Sequence, residues 1–326
     1  MLKVFHYQET QQGSTEFLKT RLNANISLTY GSEIPEHADY EVLIAAFPHK
    51  ELVEASPKLK ALIIPFAGPP MATQELMRQY PEVAVFNTPY NSIATAETAL
   101  ALMLASAKFT IKADADLRQG DWSLRYGEQP QLMLHGKTVV ILGYGRIGRH
   151  AAAVCHALGM KVLGVRRNLT AEDKHDPIAR VADFGELKTA LAQAEVLLIA
   201  LPETPETQNL ITETELELLP QGAILVNVGR GSIVNEKALY NALKGGKLAA
   251  AGLDVWYSYP KDLEARTSTQ PSSYPFHELS NVVMSPHKAG WLGKDDDSRM
   301  VFLAQILNMY ASGETIPYKV DLELGY

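Results

Sequence analysis

A buried-strand pattern that runs directly into a glycine-rich turn constrains the fold of this chain more than any other feature. The β-branched run Thr138–Leu142 is typical of a buried parallel strand, a helix-forming stretch starts at Arg149, and between them lies Gly143-Tyr144-Gly145-Arg146-Ile147-Gly148. In the G-x-G-x-x-G spacing, the first glycine permits a tight turn, the second lets a pyrophosphate approach the backbone, and the third lets helix and strand pack closely. The junction therefore predicts a strand–turn–helix unit that binds a dinucleotide at the helix N-terminus.

Strand and helix patterns alternate along the chain in two series. Buried-strand patterns lie at 2–7, 40–46 and 59–65 in the first series, and at 138–142, 161–165, 195–200, 223–228, 248–254 and 281–284 in the second. Helical patterns fill the intervals, and this alternation predicts parallel sheets with helices on both faces. The chain is therefore expected to be an α/β protein with two doubly wound, Rossmann-like domains and a cleft between them.

The order of these patterns predicts one continuous and one discontinuous domain. Residues 109–291 hold the second series and are expected to form the dinucleotide-binding domain. A last helical pattern at 297–310 leads to a tail that we expect to pack on the first series, so 1–108 plus 292–326 are expected to form a substrate (catalytic) domain. The polar segment at about 110–135, which contains Pro130, indicates an arm or linker.

The composition of the 326 residues narrows the classes of partner and location. A net charge of −7 disfavours nucleic acid and anionic membranes as partners. Cys155 is the one cysteine, which excludes an intramolecular disulfide and favours a reducing, cytoplasmic location. The N-terminal residues lack the apolar core of a signal peptide, the longest uncharged helical pattern is too short to span a bilayer, and no metal site is expected.

Two further strand patterns end in residues that can act on a carboxylate or a carbonyl. Asn227-Val228 leads into Gly229-Arg230-Gly231, and the run 281–285 leads into Pro286-His287. Strand carboxyl ends in doubly wound sheets face the ligand crevice. The planar guanidinium of Arg230 would bind a carboxylate there, and His287 would exchange a proton near neutral pH. Taken singly, each residue also fits a structural role, Arg230 as a solvated strand end and His287 as a loop cap.

Together these segments resemble the D-isomer-specific 2-hydroxyacid dehydrogenases over nearly the whole chain. The matching motifs occur in the family's order, and they are Gly143 to Gly148, Leu201-Pro202-Glu203-Thr204-Pro205-Glu206-Thr207, Asn227 to Gly231, Leu253-Asp254-Val255 and Ser285-Pro286-His287. The similarity includes Asn91-Ser92 and the closing residues 320–326. The resemblance implies hydride transfer between a nicotinamide cofactor and a 2-oxo or D-2-hydroxy acid of the glyoxylate or hydroxypyruvate type, or a related acid.

The resemblance also implies a role for each matching residue. His287 is implied as the general acid/base, and Arg230 as the residue that holds the substrate carboxylate and polarises the carbonyl. In the first domain, the backbone N–H groups of Ala67 and Gly68 would hold the carboxylate, and Asn91 would lie at the cleft wall. The residues implied in cofactor binding are Gly143, Tyr144, Gly145, Arg146, Ile147, Gly148, Leu201, Pro202, Thr207, Val228, Gly229, Asp254 and Gly290, with Asp254 orienting the nicotinamide amide.

The chain departs from the family pattern beside the catalytic histidine. The family usually has a Glu five residues after the position of Asp254, and this carboxylate raises the basicity of the histidine. Here that position holds Tyr259. Three interpretations stay open: Tyr259 orients His287 by a hydrogen bond, a displaced carboxylate of Asp262 or Glu264 takes over, or catalysis is weak or lost.

A second departure concerns the choice of cofactor. Arg166 lies 18 positions after Gly148, where an acidic residue would bind the ribose hydroxyls of NAD, and Arg167 follows it. Two guanidinium groups there favour a 2′-phosphate. The sequence therefore favours NADP(H), with NAD(H) as the alternative and two solvated surface arginines as the structural interpretation.

Two other functions compete with a 2-oxo acid reductase. The absent Glu favours a dinucleotide-binding regulatory protein with weak or lost catalysis, and a formate dehydrogenase-like activity is a minor alternative because those relatives use a neutral Gln at the same place. The partner expected for the reductase is a small-molecule 2-oxo acid. The apolar helical pattern at 99–107 and the polar arm are similar to the family's dimer elements, so a homodimer is also expected.

Overall fold

The computed structural model describes residues 1–7, 12–127, 131–293 and 297–325. The chain forms two compact units, and each contains one parallel sheet with helices. The first unit comprises Met1–Asn91 and Leu292–Tyr326, and the second comprises Ser92–Trp291. This architecture confirms the predicted α/β class with two Rossmann-like sheets.

The first unit has a five-stranded parallel sheet in the order β2-β1-β3-β4-β5. Its strands are β1 (Leu2–Tyr7), β2 (Ile26–Gly31), β3 (Val42–Ile44), β4 (Ala61–Ile64) and β5 (Ala84–Asn87), and its helices are α1 (Gln12–Lys19), α2 (Lys50–Glu54), α3 (Met71–Met77) and α11 (Ser298–Ala311). The C-terminal tail packs on this sheet as predicted, since the Val320 N–H donates to the Val85 carbonyl at 2.8 Å. The sequence did not predict β2 and β5, which are the two edge strands.

The second unit has a seven-stranded parallel sheet in the order β12-β11-β10-β9-β6-β7-β8. Its strands are β6 (Thr138–Leu142), β7 (Lys161–Val165), β8 (Ala179–Ala182), β9 (Val196–Ile199), β10 (Ala223–Asn227), β11 (Leu248–Leu253) and β12 (Val282–Met284). Its helices are α4 (Ser92–Lys108), α5 (Thr110–Arg118), α6 (Ser123–Tyr126), α7 (Arg146–Ala157), α8 (Leu187–Leu191), α9 (Glu213–Leu218) and α10 (Glu236–Lys244). The order from β8 to β11 is the 3-2-1-4-5-6 order of dinucleotide-binding sheets. β8, an edge strand, is the strand that the sequence did not predict.

Helix α4 belongs to the second unit, which moves the expected domain boundary from 108/109 to 91/92. The cause is close packing: α4 lies against β10, β11 and α7. A Cβ at Gly252 in β11 would lie only 2.7 Å from the Leu102 Cβ of α4. Ala99, Met103 and Ala107 of this helix are fully buried with the core of the second sheet.

The polar segment at about 110–135, predicted to be an arm or linker, contains the two helices α5 (Thr110–Arg118) and α6 (Ser123–Tyr126). Two i,i+4 ion pairs stabilise α5, from Lys112 to Asp116 and from Arg118 to Asp114, each at 2.7 Å. The arm residues 128–130 lie outside the described residues. Within the described ranges, no helix is both long and apolar enough to cross a membrane.

Candidate active site

The glycine turn between β6 and α7 has the geometry that its spacing predicts. Gly143 has a φ of +96°, and a Cβ there would lie 2.7 Å from the carbonyl of Ala200. A Cβ at Gly148 would lie 2.3 Å from the Gly143 carbonyl oxygen, so only glycine allows this packing of helix on strand. Gly145 precedes the first helical residue, and a Cβ there would meet only open space. The turn therefore leaves room beside Gly145 for a pyrophosphate at the N-terminus of α7.

The side chains within this turn differ in what they can offer a ligand. The Tyr144 ring is fully buried against Gly164, and its hydroxyl donates to Asp176 Oδ2 at 3.0 Å. Burial and Asp176 both raise the pKa of Tyr144, so its phenol stays protonated. The backbone of Tyr144 is thus the part that can face a cofactor, while Arg146 is exposed and Ile147 is half-buried.

The two arginines predicted to select the cofactor lie in ion pairs. Arg166 Nη1 lies 3.1 Å from Asp173 Oδ2, and Arg167 Nη2 lies 3.2 Å from Glu206 Oε2. Asp173 also accepts hydrogen bonds from the Thr170 N–H at 2.6 Å and from Arg149. Burial acts to raise the pKa of Asp173, but the bonds from Thr170 and the charges of the arginines together hold this pKa below its ordinary value. No sequence pattern indicated Asp173, because it lies in a short turn without a recognisable motif.

The segment after β9 shapes the same edge of the sheet. The Thr207 hydroxyl is buried, donates to the Pro202 carbonyl at 2.7 Å and accepts from the Thr204 N–H at 2.8 Å, so it holds the loop closed. A Cβ at Gly229 would lie 2.5 Å from the carbonyl oxygen of Leu201. Because Gly143 also lies against this segment, three of the predicted cofactor segments meet here.

Arg230 follows β10 on a turn that Asn227 organises. The buried Asn227 side chain accepts from the Gly229 N–H at 3.0 Å and donates to the Arg230 carbonyl at 2.9 Å. The half-buried Arg230 guanidinium donates to the Gly229 carbonyl at 2.7 Å, and no ion pair joins it to an acid among the described residues. Its charge is therefore available to a substrate anion. Val228 next to this turn is buried.

His287 lies on the loop 285–289, which is held by hydrogen bonds to the Asp254 carboxylate. The carboxylate is 1% exposed and accepts from the N–H groups of Lys288 and Ala289, each at 2.9 Å, and from the Ser285 hydroxyl. The Trp256 indole donates to the Ser285 carbonyl at 2.8 Å. These bonds hold His287 in the left-handed region, with a φ of +54°.

Both oxygens of Asp254 bind the 285–289 loop, a structural role that the sequence did not predict. The contact of Asp254 with the nicotinamide amide stays a prediction. Gly290 follows at the end of this loop and is half-buried. A prediction from sequence could use only the position of Asp254 after a strand, which does not tell which way its carboxylate faces.

Tyr259 contacts His287 through its ring and not through its hydroxyl. The two ring centres are 5.5 Å apart, and the Tyr259 oxygen accepts from the Trp256 N–H at 3.1 Å. The hydrogen bond to His287 that the sequence suggested is therefore replaced by ring packing. Neither displaced carboxylate takes its place: Asp262 accepts from the Ala265 N–H at 2.8 Å, and Glu264 opens the exposed turn Glu264–Thr267.

The surroundings of His287 favour the neutral form of its imidazole. Burial and then the charge of Arg230 lower the pKa of His287 from its ordinary 6.5, while Asp254 acts in the opposite direction. Arg230 and His287, which are far apart in the sequence, are thus close enough for one charge to act on the other. The second unit brings together a carboxylate-binding group and a proton-exchanging group.

The predicted substrate loop of the first unit follows β4. The Asn87 amide donates to the Ala67 carbonyl at 2.6 Å, which holds the turn that contains Gly68. The Thr88 N–H donates to the Phe66 carbonyl at 3.2 Å. Asn91 is half-buried and is the last residue of this segment of the unit.

Comparisons with known proteins agree with this architecture. The family model of the D-isomer specific 2-hydroxyacid dehydrogenase, NAD binding domain, matches residues 100–289. The chain is 37% identical over 248 residues to a glyoxylate reductase of Aeropyrum pernix, and the aligned region covers 74% of this chain and 70% of that protein. It is 34% identical over 299 residues to a D-3-phosphoglycerate dehydrogenase of Archaeoglobus fulgidus, covering 89% of this chain but 52% of that protein, so it spans about half the length of this relative.

A solved structure has the same fold over the whole chain. The D-isomer specific 2-hydroxyacid dehydrogenase from Xanthobacter autotrophicus Py2, in complex with NADPH and MES, matches with a TM-score of 0.80 at 24% identity and covers 99% of each chain. The chain therefore belongs to the D-isomer specific 2-hydroxyacid dehydrogenases, nicotinamide-dependent oxidoreductases that act on the CH–OH group of 2-hydroxy acids.

Proposed function

We propose that the chain reduces a 2-oxo acid of the glyoxylate or hydroxypyruvate type, or a related acid, to the D-2-hydroxy acid, with NADP(H) as the preferred cofactor. The observation that carries the proposal is the closeness of Arg230 to His287 on a loop held by Asp254. The glyoxylate reductase of Aeropyrum pernix supports the substrate class. A dinucleotide-binding regulatory protein with weak or lost catalysis is the competing function, since Tyr259 replaces the usual Glu.

The residues divide the reaction between binding and proton transfer. The Arg230 guanidinium binds the substrate carboxylate and withdraws electron density from the carbonyl. The Ala67 and Gly68 N–H groups are proposed as further carboxylate ligands. Bound nicotinamide supplies the hydride that reduces the carbonyl carbon. His287 donates its proton to the carbonyl oxygen, and the Asp254-held loop fixes the direction of its ring.

A panel of 2-oxo acids tests this function directly. Glyoxylate, hydroxypyruvate, pyruvate and bulkier analogues are each mixed with the purified chain and reduced cofactor, and nicotinamide oxidation is followed by absorbance. Turnover of at least one acid to the D-product supports the proposal. Absent turnover of every acid, together with micromolar cofactor binding, would instead support the regulatory function.

The preference for NADP(H) follows from the surroundings of Arg166. Asp173, the acid that pairs with Arg166, is 2% exposed, and its oxygens already accept from Thr170, Arg149 and Arg166, so it is not free to bind a ribose. This leaves the guanidinium groups as the polar groups that a 2′-phosphate would meet.

Exchange of Arg166 for aspartate is expected to reverse the cofactor preference. Arg166→Asp should raise the Kd for NADPH about tenfold to a hundredfold, because it removes a charge-assisted hydrogen bond and adds a repelling carboxylate. Titration of both cofactors by fluorescence measures the change. Arg180→Gln, at an exposed arginine of β8, is the matched control and should leave both affinities unchanged. Equal NADPH binding by wild type and Arg166→Asp would contradict the assignment.

The identity of residue 259 is expected to set the pH range of oxo acid reduction. Reduction needs protonated His287, so kcat/KM falls as pH rises through the pKa of His287, which lies below 6.5. Tyr259→Glu places a carboxylate beside the imidazole, which raises this pKa and moves the fall to higher pH by about one unit or more. Tyr259→Gln removes the same ring but brings no charge, so it should move the fall less than Tyr259→Glu does. The same pH profile for the Glu and Gln variants would disprove this account.

A homodimer and a cytoplasmic location stay predictions. The homodimer is supported by exposed apolar side chains on the arm, since Ile111, Leu117, Trp122 and Tyr126 are each at least half exposed. A second copy of the chain would cover them.

A further inference from the structure

A second polar cluster lies at the carboxyl edge of the first unit's sheet. It consists of Arg299 in the first turn of α11, His6 near the end of β1, and Tyr90 after β5. The sheet order puts the topological switch point between β1 and β3. Ligands of open parallel sheets bind outside the strand carboxyl ends at such a point. The cluster therefore lies where this unit is expected to bind a ligand.

Tyr90 holds the Arg299 guanidinium in place, and no acidic side chain among the described residues pairs with it. Its Nη2 donates to the Tyr90 hydroxyl at 2.9 Å, and its Cζ lies 5.2 Å from the centre of the Tyr90 ring. Its Nε is buried without a hydrogen-bond partner, and within the described ranges Arg299 forms no ion pair with an acid. A cation in the first turn of a helix is also disfavoured by the helix dipole. A bound anion would offset both costs.

His6 supplies a second unsatisfied group at the same place. It is 5% exposed, and its Nδ1 has no hydrogen-bond partner in the part of the chain that the structure describes. Burial, and then the charge of Arg299, lower the pKa of His6 to about 4. The ring is therefore neutral near pH 7, and its Nδ1 can donate to an anion in the appropriate tautomer.

The position of Arg299 relates this cluster to the proposed substrate loop. Tyr90 follows β5 and His6 lies near the end of β1, with β3 and β4 between these strands. Adjacent strands are about 4.8 Å apart. Arg299 contacts Tyr90, and its charge acts on His6, so these three residues lie at the carboxyl edge of the same sheet. β4 leads into Ala67 and Gly68, the proposed carboxylate loop.

We propose that Arg299 and His6 form an anion subsite that binds the distal carboxylate of a 2-oxo dicarboxylic acid. Arg299 supplies the charge, Tyr90 fixes the guanidinium, and His6 donates a hydrogen bond. The inference rests on the proposed function and specifies its substrate class.

Length-matched pairs of oxo acids test the subsite. Oxaloacetate is compared with 2-oxobutyrate, and 2-oxoglutarate with 2-oxopentanoate, since each pair differs by a distal carboxylate against a methyl group. Wild type should show the higher kcat/KM with the dicarboxylate of at least one pair. Arg299→Gln should lower kcat/KM for that acid about tenfold to a hundredfold, the range for a lost charge-assisted hydrogen bond, and change its neutral partner less than about threefold.

Two further variants separate selectivity from folding. Tyr90→Phe keeps the ring but removes the hydroxyl that holds the guanidinium, so it should lose the same selectivity to a smaller extent. Arg21→Gln removes an exposed guanidinium, 3.5 Å from the centre of the Phe17 ring, and should change neither member of a pair. Equal losses for both members of a pair in Arg299→Gln would overturn the subsite.

A binding measurement keeps the subsite and the proposed function distinguishable. Succinate, but not butyrate, should raise the melting temperature of wild type and leave that of Arg299→Gln unchanged. If wild type reduces neutral oxo acids without preferring dicarboxylates and succinate has no effect, the subsite is wrong and the proposed function stands. If no oxo acid is reduced but succinate stabilises wild type alone, the proposed function is wrong and the subsite stands.

Discussion

Replacement of His287 by alanine is expected to lower kcat for oxo acid reduction by about a hundredfold to ten-thousandfold, the range for loss of a general acid. The imidazole lies close enough to Arg230 for the guanidinium charge to act on it, and it is a group that can exchange a proton near neutral pH. The bonds from Asp254 and Trp256 that hold its loop do not involve the imidazole. The loss should therefore be chemical and not conformational.

Steady-state kinetics and cofactor titration together measure this effect. The Kd for the cofactor should change little, because His287 lies outside the glycine turn that holds the pyrophosphate. His277→Ala, at an exposed histidine of the same unit, is the matched control and should keep wild-type turnover. Undiminished turnover of His287→Ala would rule out the acid/base role.

Replacement of Arg230 by glutamine is expected to lower kcat/KM by about a thousandfold. The variant loses the charge that binds the carboxylate and stabilises the developing oxyanion, and each of these contributions is large in a partly buried site. Arg230→Lys should recover only part of the loss, because an ammonium cannot make the planar bidentate contact. Asn227 keeps the turn in place in both variants, since its side chain bonds to backbone groups of Gly229 and Arg230.

The same kinetic assay checks this prediction with a simple control. Arg266→Gln removes an exposed arginine from the turn after Tyr259 and should behave as wild type. An Arg230→Gln enzyme with unchanged KM and kcat would show that the substrate carboxylate binds elsewhere. A second consequence concerns His287: loss of the Arg230 charge should raise the pKa of this histidine, so residual reduction should extend to higher pH.

The sequence predicted best the elements whose own residues restrict the local backbone conformation or burial. The strand-to-helix junction at 138–148 combines a buried apolar run with three glycines, and each glycine meets a steric limit or an open space in the structure. The central strands of both sheets were predicted because they are buried on both faces and consist of apolar residues. The missed strands β2, β5 and β8 are edge strands, which carry mixed polar and apolar residues.

The contacts that the sequence did not predict depend on long-range packing. The distance between Asp254 and the 285–289 loop is set by the pairing of β11 with β12, so no local pattern reports it. The ion pairs of Asp173 with Arg149 and Arg166 were likewise not predictable, because they form only once the chain has folded. Helix α4 was assigned to the first domain because its sequence lies next to that domain, whereas its buried face fits the second sheet.

A crystal structure with reduced cofactor and oxamate, an unreactive analogue of a 2-oxo acid, tests the central claim most directly. The account predicts that the Arg230 guanidinium lies about 3 Å from the oxamate carboxylate and that a His287 ring nitrogen lies about 3 Å from its carbonyl oxygen. Oxamate bound away from both side chains, with neither nitrogen within hydrogen-bond distance, would contradict it.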